Sequence, residues 1–197
     1  MPSPSISLCV ITGNEEETIT RFLESFRDSF DELVLVRAIG AEPHDKTLTV
    51  AKAWCEQNAK ACVLGEYRNK ANRASVIPTG AVQELDPSTW PHVDDFAAAR
   101  NQAWEMATKE WQFWADIDDI LVPAPPGGYG GAELIRLCAG AGTHDYFMWT
   151  YSLRTQSESV LRERLFRTGI STWVQPVHEQ CRVCVAPAEG KQLKAMI

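Results

Sequence analysis

Short apolar runs alternate along this chain with segments whose apolar residues recur at helical spacing. Ile6 to Ile11 has the length of a buried strand and stops at the turn Thr12-Gly13-Asn14. A helix is expected from about Glu16, because Ile19, Phe22, Leu23, Phe26 and Phe30 fall on one helical face. Glu15, Glu16 and Glu17 lie in or just before its first turn, where the helix dipole favours negative charge. Leu33 to Val36 is a second strand, Asp45 caps a helix carrying Leu48, Ala51, Trp54 and Cys55, and Cys62 to Leu64 is a third strand. Alternation of this kind predicts an α/β fold with a mostly parallel central sheet flanked by helices on both faces.

Beyond that point the pattern weakens. Gly65 to Pro91 has no clear period and is either a long loop or a weak pair of strands. A helix resumes from Asp94, with Phe96, Ala99, Ala103 and Ala107 on one face, and runs into the apolar stretch Trp111 to Ala115. Pro123 to Gly131 is a proline- and glycine-rich loop, a candidate lid. A short helix over Ala132 to Cys138 follows, then strands near Tyr146 to Leu153, Leu161 to Phe166 and Val183.

Composition narrows the class without naming a function. The 197 residues, 45% hydrophobic and 23% charged, suit one globular domain, with residues 1–197 forming a single unit. A formal charge of −7 offers no general attraction to nucleic acid or anionic membrane. Arg154, Arg162, Arg164 and Arg167 still make a local basic cluster. The first apolar run is too short for a signal peptide and no later run reaches membrane-spanning length, so a cytoplasmic protein with no membrane partner is expected. Cys9, Cys62 and Cys138 sit among apolar neighbours as buried thiols do, and Cys181 and Cys184 have ligand spacing but no second pair.

The candidate chemistry lies in Asp116-Ile117-Asp118-Asp119, directly after the apolar stretch. On an extended backbone Asp116 and Asp118 would share one side, with Ile117 turned towards the core. Two adjacent carboxylates repel unless a cation or a shared proton relieves them. At the C-terminal end of a buried strand, such a pair suits a divalent ion that also grips phosphate. An ordinary acidic turn after a core strand is the competing explanation.

Several separated segments then agree with one family. SLCVITGNEEETI, DELVLV with HDKT, DDFAAARNQAWEMATKEWQFWADIDD and ERLFRTGISTWVQPVHE, in that order, resemble the family 2 glycosyltransferases, whose fold is of the GT-A type with a D-x-D motif. The resemblance runs from about Ser5 to Cys181. It implies a donor-binding half over about residues 1–120 and an acceptor-side half over about 121–197. It also implies Mn2+ or Mg2+ held by Asp116 and Asp118, with His178 as a late partner for the metal or the diphosphate. Asn14, Glu15, Arg37, Asp95, Arg100, Asn101 and Asp116 would bind the donor, a UDP-sugar in the first instance. Arg100 would contact the diphosphate or orient a D-x-D carboxylate. Glu179 is the first candidate for general base and Asp119 the second. Trp90, Trp111, Trp114, Trp149 and Trp173 are candidates to stack on sugar or base, although apolar neighbours favour the core for most of them.

One departure stands out. Where the family commonly ends its second strand with an aspartate that helps recognise the base, this chain has Arg37, followed by AIGAEPH in place of a small loop. The expectation is therefore a metal-dependent, inverting transfer of a sugar from a nucleotide-sugar to a hydroxyl acceptor, with the base left open. The acceptor could be a small molecule, a protein or a hydroxymethylated DNA base, the last needing an extruded base. A nucleotidyltransferase and a catalytically silent sugar-nucleotide binding module are the alternatives from other classes. The acidic Thr12 to Glu16 turn disfavours the first, which usually carries a glycine-rich, basic phosphate loop.

Overall fold

The first apolar run forms β1 (Ile6–Thr12), and it lies at the centre of the sheet. A computed structural model describes residues 3–40, 43–70, 74–76, 82–84, 92–141, 144–152, 159–184 and 195–196. β1 pairs in parallel with β2 (Glu32–Arg37), and β2 pairs in parallel with β3 (Ala61–Glu66). A hairpin of β4 (Ala74–Val76) and β5 (Val82–Glu84) leads on to β6 (Trp111–Trp114), which pairs in parallel with the other edge of β1. β7 (Tyr146–Ser152) and β8 (Ser159–Arg167) extend that side in antiparallel fashion, and β11 (Ala195–Met196) pairs in parallel with β7. The seven-stranded order is β11-β7-β8-β6-β1-β2-β3. β9 (Ser171–Val174) and β10 (Gln180–Val183) form a separate antiparallel pair.

Side-chain alternation along β1 divides the core into two layers. Ile6, Leu8 and Val10 pack with Ile19, Phe22 and Phe26 of α1 (Ile19–Phe26), Trp54 of α2 (Thr47–Gln57) and Ile135 of α4 (Gly131–Gly140). Cys9 points the other way, into a cluster with Ala99, Ala103 and Trp104 of α3 (Phe96–Met106) and with Trp114, Phe166 and Trp173. Helices therefore cover both faces of a mostly parallel sheet, as the alternating pattern predicts. No helix among the described residues is long and apolar enough to cross a membrane.

Differences from the sequence reading are local and have local causes. Helix α1 begins at Ile19 rather than Glu16, because the Glu15 carbonyl accepts from the Thr18 and Ile19 amides in a preceding turn. Asp45 serves the start of α2 by accepting from the amide and hydroxyl of Thr47 at 2.9 and 2.6 Å. The unresolved choice over Gly65 to Pro91 comes out partly as the β4–β5 hairpin. Trp111, Trp114 and Trp173 are core residues, Trp149 packs against the core, and Trp90 lies outside the described residues.

The largest correction concerns the acidic cluster. β6 stops at Trp114, and the Asp119 amide donates to the Asp116 carbonyl at 3.0 Å, closing a turn. Asp116 and Asp118 therefore do not sit on an extended backbone.

Candidate active site

β1 is the switch point of the sheet, since the chain leaves it for β2 on one side and returns to β6 on the other. In such sheets ligands bind outside the carboxyl ends of the strands at that point. A cleft of about 580 Å3 opens there. Ile11 closes the end of β1, Phe96 and Arg100 come from α3, and Asp116 to Asp118 come from the turn after β6. Arg162 of β8 and the Val177 to Gln180 segment complete the wall.

Arg100 organises this cleft. Its side chain is only 8% exposed, with the guanidinium carbon 4.9 Å from the Trp114 ring and 4.8 Å from the Trp173 ring. From there Nη2 donates to Oδ1 of Asp116 at 2.7 Å and Nε donates to Oε1 of Glu179 at 2.8 Å. A planar fork can serve two carboxylates at once in a way an ammonium cannot. Of the two partners expected for Arg100, a diphosphate or a carboxylate of the acidic turn, the one it bonds here is Asp116.

A second arginine supports the turn from below. Arg164 stacks on the Trp114 ring at 3.8 Å and donates Nη1 to Oδ2 of Asp119 at 2.9 Å. The same Asp119 oxygen accepts from the Asp116 amide at 3.0 Å. Burial is the largest influence on both ends of this pair: it lifts the Asp119 carboxyl above its ordinary range and pulls the Arg164 guanidinium below its own. Asp119 is committed to holding the turn and is not among the cleft-lining residues, whereas Glu179 is. Arg164 was missed as a supporting residue. The available signal was its place beside Arg162 in the basic cluster, and both guanidiniums lie over the Trp114 ring, at 6.0 and 3.8 Å.

The remaining expected residues separate into lining and scaffolding roles. Asp118 and His178 are exposed and line the cleft with Asp116. His178 holds φ at 56°, the left-handed region that a residue with a Cβ rarely adopts. Asp95 caps α3 by accepting from the Ala98 amide at 2.8 Å. Asn101 ties α3 to β9, accepting from the Trp173 amide at 2.8 Å and donating to its carbonyl at 2.9 Å. Asn14 fastens the next loop, donating to the Pro43 carbonyl and accepting from the Asp45 amide. Glu15 accepts from the Thr18 hydroxyl, and its amide donates to Thr47 Oγ1. Arg37 is buried at the end of β2 and lines a separate concavity.

Among the described residues the basic cluster does not form one open groove. Arg164 is buried, Arg167 pairs with Glu110 at 3.0 Å and Asp145 at 3.5 Å, and Arg162 faces the cleft. Arg154 lies outside the described residues.

Whether a metal suits the site can be judged from its donors. Among the described residues no group of three His, Cys, Asp or Glu side chains converges at ligand spacing. Asp116 and Asp118 nevertheless face one cleft. Mg2+-type ions bind through one or two carboxylates and take their other ligands from water and substrate phosphate. The donor set fits an ion that arrives with a diphosphate rather than one caged by protein alone.

The fold and this cleft together define a GT-A-like α/β domain. Its arrangement is similar to crystal structures of S. aureus TarS residues 1–349. The TarS 1–349 structure matches with a TM-score of 0.56 and 16% identity, over 84% of this chain and 48% of that one. The complex with UDP gives 0.56 and 15% over 84% and 47%, and the complex with UDP-GlcNAc gives 0.55 and 16% over 84% and 46%. The chain thus spans about half the length of the solved structures it matches. Among curated proteins, a TPR repeat-containing protein of Synechococcus elongatus is 29% identical over 117 residues, which are 59% of this chain and 21% of that protein. No protein-family model matches the chain.

Proposed function

We propose that the chain is a metal-dependent glycosyltransferase of the family 2 type, moving a sugar from a nucleotide-sugar donor to a hydroxyl acceptor with inversion. The observation that carries this reading is the Arg100 fork, which draws Asp116 and Glu179 together at 2.7 and 2.8 Å in a cleft at the sheet's switch point. The likeness to TarS structures that hold UDP and UDP-GlcNAc supports a UDP-sugar as donor. In one continuous domain, the donor-binding half runs to about residue 120, and the acceptor-side half that follows also brings Arg162 and His178 to the donor.

Breaking a bond to a nucleoside diphosphate leaves growing negative charge on the departing phosphates. Asp116 and Asp118, with His178 at the rim, would hold Mn2+ or Mg2+, which would supply Lewis-acid stabilisation of that charge. Arg100 keeps Asp116 in the orientation the ion needs, and the Asp119–Arg164 pair holds the turn that presents both carboxylates. Arg162, on the same cleft, adds a fixed positive charge towards the phosphates. Glu179 lines the cleft and takes the proton of the acceptor hydroxyl as it attacks the anomeric carbon.

The test is nucleoside diphosphate release from a panel of UDP-, GDP- and TDP-sugars, with Mn2+ or Mg2+ and again with chelator. Release that requires the metal is the expected result. Absence of release with every donor contradicts the proposal. Pyrophosphate release from a nucleoside triphosphate and a sugar phosphate would assign nucleotidyl transfer instead.

A further inference from the structure

Trp114, a candidate on sequence grounds to stack on sugar or base, lies behind the cleft instead. It is the last residue of β6, two positions before Asp116, and is 3% exposed. Its indole N–H donates to the Glu163 carbonyl, which pins the ring. Trp173 meets that ring at an angle of 86°, with centroids 5.0 Å apart.

Cations gather on this indole. The guanidinium carbon of Arg164 lies 3.8 Å from the ring centroid, that of Arg100 4.9 Å and that of Arg162 6.0 Å. An aromatic face attracts a cation out to about 6 Å. Arg164 also donates Nη1 to the Trp114 carbonyl at 3.3 Å. Arg100 and Arg164 are both buried, and like charges repel strongly where water is excluded. The negative face of an indole opposes that repulsion, whereas an aliphatic side chain fills space without doing so. Trp173 takes a share of Arg100, at 4.8 Å. Among the described residues Trp114 is the ring that carries both arginines. Arg100 in turn holds Asp116 and Glu179 at 2.7 and 2.8 Å, and Arg164 holds Asp119 at 2.9 Å. One indole therefore stands behind three carboxylates at the cleft and its turn.

We propose that Trp114 is a positioning residue for sugar transfer: the electron-rich face of its indole fixes Arg100 and Arg164, and through them the carboxylates that receive the metal and the acceptor proton. This rests on the transferase reading given above. It assigns the effect of the ring to charge rather than to volume, so weakening the face without changing the shape should loosen the metal site. Asp116 is the group most exposed to that change, because Arg100 orients it from the ring side.

The test places tryptophan fluorinated on its benzene ring at position 114 alone, since fluorine withdraws electron density from the face with little change in shape. The readout is the Mn2+ concentration that gives half-maximal nucleoside diphosphate release from a UDP-sugar. It is measured on the full chain at a temperature where melting curves show each variant folded. One, two and three fluorines should raise that concentration stepwise, to at least about threefold with three. Trp114→Leu should raise it about tenfold, with Trp114→Phe in between. Should Trp114→Leu fail to fold, the fluorinated rings alone decide. The trifluorinated ring at Trp104, a buried neighbour with no guanidinium over it among the described residues, should leave the concentration unchanged. A value that ignores fluorination at 114, or moves as far with fluorination at 104, overturns the positioning role and leaves the transferase reading standing. Absence of Mn2+-dependent release by the unmodified chain counts against the transferase reading itself, and the positioning role falls with it.

Discussion

Nε of Arg100 donates to Oε1 of Glu179 at 2.8 Å, joining residues 79 positions apart in the chain. The contact couples α3, the helix that precedes β6 and its acidic turn, to the segment that forms the opposite wall of the cleft. Because Nη2 of the same side chain holds Asp116, one guanidinium sets the spacing between the two carboxylates. The walls of the cleft are therefore held by charge as well as by packing.

Replacing Arg100 tests that coupling. Arg100→Ala leaves Asp116 and Glu179 without their shared cation, and breaking a buried pair costs about 3–5 kcal/mol. Asp116 is 39% exposed, so the lower end, about 3 kcal/mol, is expected by chemical denaturation. Arg100→Lys retains the charge but cannot bond both carboxylates from one plane. It should recover much of the stability while kcat stays low. Equal recovery of stability and kcat would show that charge alone suffices.

His178 adopts φ of 56°, and the neighbouring Gln175 adopts 73°. A residue with a Cβ pays roughly 1–2 kcal/mol for this region, partly offset in glycine by its looser unfolded chain. His178→Gly is expected to gain about 0.5–1 kcal/mol in stability and to lose activity, because the imidazole at the cleft rim is gone. His178→Ala should lose the same activity without the gain. An active His178→Gly protein would remove the imidazole from the mechanism.

Glu32 gives the fold a specific acid sensitivity. Burial works to raise its pKa, but hydrogen bonds from the Ser7 hydroxyl and from the amide and hydroxyl of Thr108 outweigh it and hold the carboxyl below its ordinary range. A carboxyl depressed in the folded state contributes stability above its unfolded pKa, about 4.3 for glutamate. That stability is lost as pH falls through the folded value. Glu32→Gln should therefore destabilise by about 1–3 kcal/mol at pH 7. The difference from the unmodified chain should shrink below about pH 4 in denaturation curves.

The parts of this architecture that depend on neighbours in sequence were readable, and those that depend on distant partners were not. β1, β2 and β6 are buried on both faces, so they appear as mostly apolar runs, interrupted by Ser7 in β1 and Gln112 in β6 and bounded by Glu32 and Arg37 in β2. The face of α1 was legible because Ile19, Phe22, Leu23 and Phe26 keep the helical period. β9 has only four residues and no apolar run to mark it. The turn at Asp116 to Asp119 was misread as extended although the bonds that close it are local, Asp119 amide to Asp116 carbonyl and Asp116 amide to Asp119 Oδ2; the distant part is Arg164 of β8, 45 positions from Asp119, which holds that carboxylate in place. Asn101 and Asp95 sit in the segment that resembles a donor-binding helix, yet their side chains are spent on β9 and on the helix cap. A resemblance locates a segment and does not tell which side chains face the ligand.

The most direct measurement is the rate of nucleoside diphosphate release from a UDP-sugar as Mn2+ is titrated, for the unmodified chain and for Asp118→Ala. Asp118 is exposed and makes none of the ion pairs found among the described residues, so its removal leaves the Arg100 and Arg164 pairs intact. Saturable activation by Mn2+ is expected, with a fall of about 100-fold or more in Asp118→Ala, as loss of several kcal/mol of Lewis-acid stabilisation requires. Release that persists unchanged in chelator, or that is equal in Asp118→Ala, would contradict it.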